Sequence, residues 1–400
     1  MRYRLNTLIT ALSLLCGLML PTAGHADSVP QTGRQANAIL AALQHITLPP
    51  GFKIQLYAMV PGARQLAVAP TGGLVFVGTR GSNLWAVTNT TQHDLANQVF
   101  RYAPTLNFDL PNGVCFAKDG TLYSVEFNRI RAFPKAQSDY KNKEVSSTLL
   151  MEPLVPATVS SRNHGARVCR VGSDQKLYIA LGQPYNVPPK DKLTSYRKTG
   201  MMGIIRMDLD GTHREVYATG IRNSVGMDFN PADGTLWFTD NQVDLMGDDI
   251  PPGEINHVTQ IGQDFGFPYY GGGHVRTLEY QADKLPAGLV APEVEMDAHA
   301  ADLGMTFYDA SQFPKKYQGG IFSAQHGSWN RSTPIGARIM FTAVKSDGTA
   351  GATEIFAQGW LRADHSYSGR PVDVAVLPDG SLLVSDDQAG ALYRIFYESP

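Results

Sequence analysis

The sequence predicts an all-β fold, a six-bladed β-propeller with four-stranded antiparallel blades. Three observations lead there. A strand, a glycine-containing turn and a second strand recur six times, and the glycine supplies the positive φ of a tight hairpin. Successive copies start roughly 45 to 85 residues apart, which leaves room in each unit for two more strands and a loop. The 39 glycines and 25 prolines among 400 residues speak for many turns rather than long helices. Two stacked sandwiches would also be all-β, but they do not call for a recurring unit.

In chain order, residues 1–26 carry Arg2 and Arg4, an apolar run from Leu8 to Leu20 and then Gly24-His25-Ala26. This is the pattern of a cleaved secretory signal peptide, too short and wrongly flanked for a membrane anchor. Cys16 in the apolar run lacks the small residues of a lipidation site. Residues 27–400 are expected to form one propeller domain that does not span a membrane. Ala36 to His45 reads as a short amphipathic helix, and Phe52 to Tyr57 alternates as an edge strand. The six copies begin at Leu66, Gly113, Arg167, Gly220, Leu303 and Val372. The last strand, Ala391 to Phe396, is expected beside the N-terminal strand, closing the ring so that no edge stays open.

Composition excludes several classes. Losing Arg2 and Arg4 with the leader takes the formal charge from -2 to about -4. A mildly acidic chain without a Lys/Arg block is a poor partner for nucleic acid or anionic membranes. Cys115 and Cys169 are the cysteines left in the mature chain. In an oxidising compartment they form one disulfide or stay as two buried thiols.

Propellers place function on the loops before each innermost strand. There the chain has His164, Arg222, Asn223, His299 and Arg370, expected on one face. Each alone is an ordinary loop residue, but together they suit removal of a proton from a hydroxyl: a neutral imidazole accepts it and cations stabilise the developing charge. The loop from Asp240 to Asn256 adds Asp244, Asp248, Asp249 and Glu254 among glycines and prolines. Such oxygen-rich, bendable loops suit Ca²⁺, although the spacing is not that of an EF-hand and a solvated acidic loop reads the same way. No Cys/His pair has zinc spacing.

These residues resemble those of the soluble quinoprotein sugar dehydrogenases that use pyrroloquinoline quinone (PQQ), particularly the L-sorbosone and aldose sugar dehydrogenase-like branch. The landmarks are Gly220-Ile221-Arg222-Asn223, Asp248 to Asn256, Phe265-Gly266-Phe267-Pro268-Tyr269, His326 to Arg331 and Gly369-Arg370-Pro371-Val372. The resemblance implies PQQ over the channel mouth with Ca²⁺ bridging the quinone. It makes His164 the general base and sets Arg222 and Asn223 beside the quinone oxygens. Carbonyls of Gln242 and Val243 match the holders of the cofactor's Ca²⁺. Arg370 matches a partner of one PQQ carboxylate, with Arg331 or Arg338 for a second. Glu254 and the Phe265 carbonyl match a structural Ca²⁺ site. Four positions depart: Gln183 stands where the glucose enzymes place an Asp behind the His, Gln242-Val243 replace Gly-Pro, and Val372 replaces an arginine.

The implied activity is periplasmic oxidation of an aldose or related aldehyde sugar, with electrons passed to a soluble or membrane acceptor such as a cytochrome or quinone. A Ca²⁺-dependent lactonase-type propeller and a non-catalytic carbohydrate- or protein-binding propeller are the alternatives. Neither has a use for arginines suited to a tricarboxylate.

Overall fold

A computed structural model describes residues 27–88 and 98–399; the leader read at residues 1–26 lies outside the described residues. Among them are six four-stranded sheets, each fully antiparallel. The innermost strands are Leu66–Val68, Gly113–Phe116, Val168–Val171, Gly226–Phe229, Asp302–Phe307 and Pro371–Val376. Each pairs next with the second strand of its predicted copy, for example Gly226 with Thr239 and Phe229 with Leu236. The sixth blade is completed by the N-terminal strand Phe52–Met59, which pairs antiparallel with Ala391–Tyr397. The ring thus closes by pairing the two ends of the chain, as the sequence led us to expect.

The core is divided the way a propeller demands. A blade is covered on both faces by its neighbours, so its strands read as unbroken apolar runs rather than alternating ones: Leu74–Val77 and Leu84–Thr88 are buried throughout. Six buried clusters result, each filling the space between two adjacent blades. The helix Arg34–Leu43 places Ala36, Ile39 and Leu43 on one face and packs them into the cluster between blades five and six.

Near the axis the inner strands approach so closely that side chains do not fit. A Cβ on Gly226 would stand 2.1 Å from the Leu303 carbonyl oxygen, and one on Gly304 would stand 1.9 Å from Asp373 Oδ1. Blades two and three are also joined covalently, because Cys115 and Cys169 on their innermost strands form a buried disulfide with Cα atoms 5.8 Å apart. Of the two cysteine readings, the disulfide is the one the structure shows. No helix among the described residues is long and apolar enough to cross a membrane.

Candidate active site

At the mouth of the channel, where the innermost strands begin, a cleft of about 120 Å³ opens between the loops of blades three, four and five. His164, Arg222, Asn223 and His299 line it together with Asn241, Gln242, Asp244, Asp302, Trp329 and Asn330. Three of its lining residues hold left-handed backbone without being glycine: His164 at φ 51, His299 at φ 63 and Ala301 at φ 60. Such conformations are disfavoured by about 1 kcal/mol or more each. They persist because the surroundings fix them.

His164 is fixed from behind. The fully buried Arg167 donates to the His164 carbonyl at 3.2 Å and to the Gly182 carbonyl at 3.3 Å, which braces the turn. The imidazole Nδ1 lies 2.5 Å from the backbone carbonyl of Gln183. A carbonyl only accepts, so Nδ1 carries the hydrogen and Nε2 is left with its lone pair. Burial, and then the Arg222 charge, lower the His164 pKa to about 4. The ring is neutral at any ordinary pH.

This answers the Gln183 departure. The Gln183 side chain takes no part in orienting the imidazole, because its amide is closed onto the backbone N–H and carbonyl of Tyr185. The main chain of Gln183 supplies the acceptor instead. A carbonyl fixes the tautomer without the negative charge that would raise the imidazole pKa.

Arg222 and Asn223 are set by Asp240, the residue that ends the second strand of their blade. Its two carboxylate oxygens accept the backbone N–H of Arg222 at 2.8 Å and of Asn223 at 2.7 Å. The Arg222 guanidinium, 2% exposed, donates to Asp244 Oδ2 at 2.9 Å, to the Asn186 carbonyl and side chain, and to the Asn241 carbonyl. One edge of the cleft is therefore a cation whose position is over-determined. Asp240 itself is pushed up to about 7 by burial, and Glu254, opposite it in the sheet, to about 8 by burial and by the Asp240 charge.

The other residues singled out in the sequence lie elsewhere. Arg370 stands at the start of its blade's innermost strand, outside the cleft lining. Its guanidinium donates to the carbonyls of His326 and Gly327 and sits 5.0 Å from the Tyr367 ring centroid. Arg331 and Arg338 also lie outside that lining and are held by acids. Arg331 bonds the Asp248 carbonyl and faces Asp249 at 3.5 Å; Arg338 pairs with Asp297. The acidic loop is thus divided among partners, with Asp244 on Arg222, Asp248 on Ser332 and Asp249 on Arg331.

Of the residues considered for metals, Gln242 and Val243 turn neither main-chain carbonyl toward a hydrogen-bond donor among the described residues. Glu254 is already bonded on both oxygens, by Gly273 N–H at 2.7 Å and by the Gln242 and Asn256 amides at 2.7 and 3.0 Å. No hydrogen bond joins it to Phe265, whose ring packs edge-on against Phe238. Among the described residues, no three His, Cys, Asp or Glu groups gather as a metal site.

Sequence reasoning gave no site role to Asn241, Asp302, Trp329 or Asn330. Trp329 is 68% exposed, an unusual setting for an indole. It sits inside the His326 to Arg331 landmark, which was the available clue.

Comparison with known proteins agrees with this architecture. The glucose/sorbosone dehydrogenase family model matches residues 114–394. A curated protein of Borreliella burgdorferi with no assigned function is 32% identical over 379 residues, covering 90% of this chain and 94% of its own. The aldose sugar dehydrogenase YliI of Escherichia coli is 28% identical over 259 residues, covering 59% of this chain and 61% of its own. Among solved structures, the PQQ domain of pyranose dehydrogenase from Coprinopsis cinerea shares the fold with a TM-score of 0.70 at 16% identity, over 88% of this chain and 97% of that domain. From the extent of the family match and the near full-length relative, the chain belongs to the glucose/sorbosone dehydrogenase family.

Proposed function

We propose that the protein is a periplasmic PQQ- and Ca²⁺-dependent dehydrogenase that oxidises an aldose or a related aldehyde sugar, with His164 as general base. The observation that carries the reading is the state of His164: a neutral imidazole with a defined tautomer, its Nε2 unengaged among the described residues, on the wall of a cleft it shares with a fixed arginine. A base must be within reach of the proton it abstracts and deprotonated at the working pH. The lowered pKa of His164 supports the second condition and its place on the cleft wall supports the first.

The surroundings fit the cofactor. Arg370 has no acidic partner among the described residues, so it is the cation suited to a cofactor carboxylate. Arg331 and Arg338 are already neutralised and are weaker choices. The unbonded carbonyls of Gln242 and Val243 are hard oxygen donors of the kind Ca²⁺ takes. PQQ, when bound, supplies a two-electron acceptor for the hydride leaving the sugar carbon.

The chain's own residues do the rest. His164 Nε2 takes the hydroxyl proton as the carbonyl of the product forms. Arg222 and the Asn223 amide, held in place before substrate arrives, stabilise negative charge where it develops, without reorganisation. The exposed Trp329 offers a flat apolar face against which a sugar ring can stack. A cytochrome or quinone then accepts the electrons.

Absorbance titration of the mature protein with PQQ, with Ca²⁺ present, tests the reading. Saturable binding that Arg370→Ala weakens at least tenfold, and that His164→Gln leaves intact while turnover is lost, is expected. No absorbance change on addition of PQQ would contradict it.

A further inference from the structure

Four amide or carboxyl oxygens are buried without a hydrogen-bond partner among the described residues: Gln242 Oε1, Asn256 Oδ1, Asp302 Oδ2 and Asn330 Oδ1. Three of the four belong to residues that line the His164 cleft. An acceptor buried without a donor costs about 1–3 kcal/mol, and more when it is charged. Three at one place point to a ligand that supplies positive charge.

Asp302 is the most constrained of them. It is 1% exposed, and its Oδ1 accepts from the Gln325 amide at 2.9 Å. Gln325 is in turn held by Arg338 through a 2.6 Å bond, while the same arginine is neutralised by Asp297. The carboxyl is therefore locked with Oδ2 turned to the cleft wall at Gly253. A Cβ on Gly253 would stand 1.9 Å from that oxygen, so only glycine lets Oδ2 lie against the main chain there. Gln242 is equally committed: its amide nitrogen donates to Asp240 at 3.1 Å and to Glu254 at 2.7 Å. With the amide nitrogen given to these two carboxyl groups, Oε1 is left bare. Arg222, the arginine of the lining, is matched by Asp244, so it does not balance Asp302.

We propose that Asp302 is a cation ligand. Its Oδ2, with Gln242 Oε1 and the unbonded carbonyls of the 242–243 loop, holds a hard divalent cation such as Ca²⁺ in the cleft wall before any cofactor binds. One carboxylate with amide and carbonyl oxygens suits Ca²⁺ at flexible geometry and lacks the nitrogen or sulfur that zinc prefers. The consequence is a formal charge at the site. Carbonyls alone carry no formal charge, whereas Asp302 gives the cofactor-free protein a cation affinity of its own.

The inference rests on the cation part of the proposed function, and its test is independent of turnover. Metal-stripped, cofactor-free protein is titrated calorimetrically with Ca²⁺. The parent binds, and Asp302→Asn weakens that binding at least tenfold while melting no lower than the parent in chelator, since the change removes an unpaired buried carboxyl. Equal Ca²⁺ affinity in parent and variant, or no binding by the parent, overturns the proposal whether or not the enzyme oxidises sugars.

A second measurement covers failure of the variant to fold. Tb³⁺ bound in the cleft is excited through the indole of Trp329. Trp329→Phe therefore cuts the sensitised emission while leaving Ca²⁺ affinity unchanged. Emission that is the same in parent and Trp329→Phe places the ion elsewhere and overturns the proposal.

Discussion

The two ends of the central channel are made by the same six innermost strands and could hardly differ more. At the far end four of the six hairpin turns share one design. Thr121, Lys176, Thr235 and Ser381 each donate a backbone N–H to the aspartate two residues earlier, Asp119, Asp174, Asp233 and Asp379. The opening there is lined by Leu66, Cys115, Phe229, Phe307 and Ala375 among others, together with Arg170, which faces Asp228 at 3.6 Å. At the mouth three cleft residues hold disfavoured backbone, and three oxygens lack donors. Repetition serves the fold, while the departures from it gather where chemistry is expected.

Substitutions at the two ends should separate along that line. The largest effect is expected at His164→Ala: general-base catalysis contributes about 10²–10⁴-fold, so sugar oxidation should fall by about a thousandfold with melting unchanged. Replacing Cys115 and Cys169 with alanine should do the reverse. Opening a cross-link 54 residues apart is expected to lower unfolding free energy by about 4 kcal/mol on the loop-entropy account, read by urea denaturation, with kcat nearly unchanged. An activity loss as large as the His164 variant's would mean that the scaffold and the site are not separable.

Arg222→Met is expected to lower turnover and, in addition, to shift its pH dependence. The Arg222 charge is the second cause, after burial, of the low His164 pKa of about 4. A lowered pKa keeps the base deprotonated, so kcat/KM in the parent should stay level as pH falls from 7 and decline only near 4. Without the cation the imidazole binds its proton more readily, and the acid limb of that profile should move upward. An unmoved limb would remove Arg222 from the electrostatics of His164. The smallest effect belongs to the far end: Asp119→Ala removes one 2.9 Å turn hydrogen bond and should lower stability by about 1 kcal/mol without altering turnover.

The same contrast explains what could be read in advance. The hairpins were legible because Gly and Asp recur at fixed offsets, each with one structural meaning, and the closing pair of strands followed from the need to leave no edge open. His164, Arg222, Asn223 and His299 were legible as a group because each precedes an innermost strand. Their supports were not. Asp240 holds Arg222 and Asn223 through backbone N–H groups, and the main chain of Gln183, not its side chain, orients His164. Backbone donors and acceptors carry no residue signature. Arg331 and Arg338, matched by resemblance to a second carboxylate partner, lie outside the cleft lining and are engaged by nearby Asp248, Asp249 and Asp297, a matter of loop path and not of spacing.

Dye-linked oxidation of a panel of aldoses and aldehyde sugars by the metal-stripped mature protein, with PQQ and Ca²⁺ added singly and together, tests the central claim most directly. The account predicts turnover only when both are present, and about a thousandfold less in His164→Ala under the same conditions. Turnover that needs neither, or that survives the loss of His164 undiminished, would contradict it.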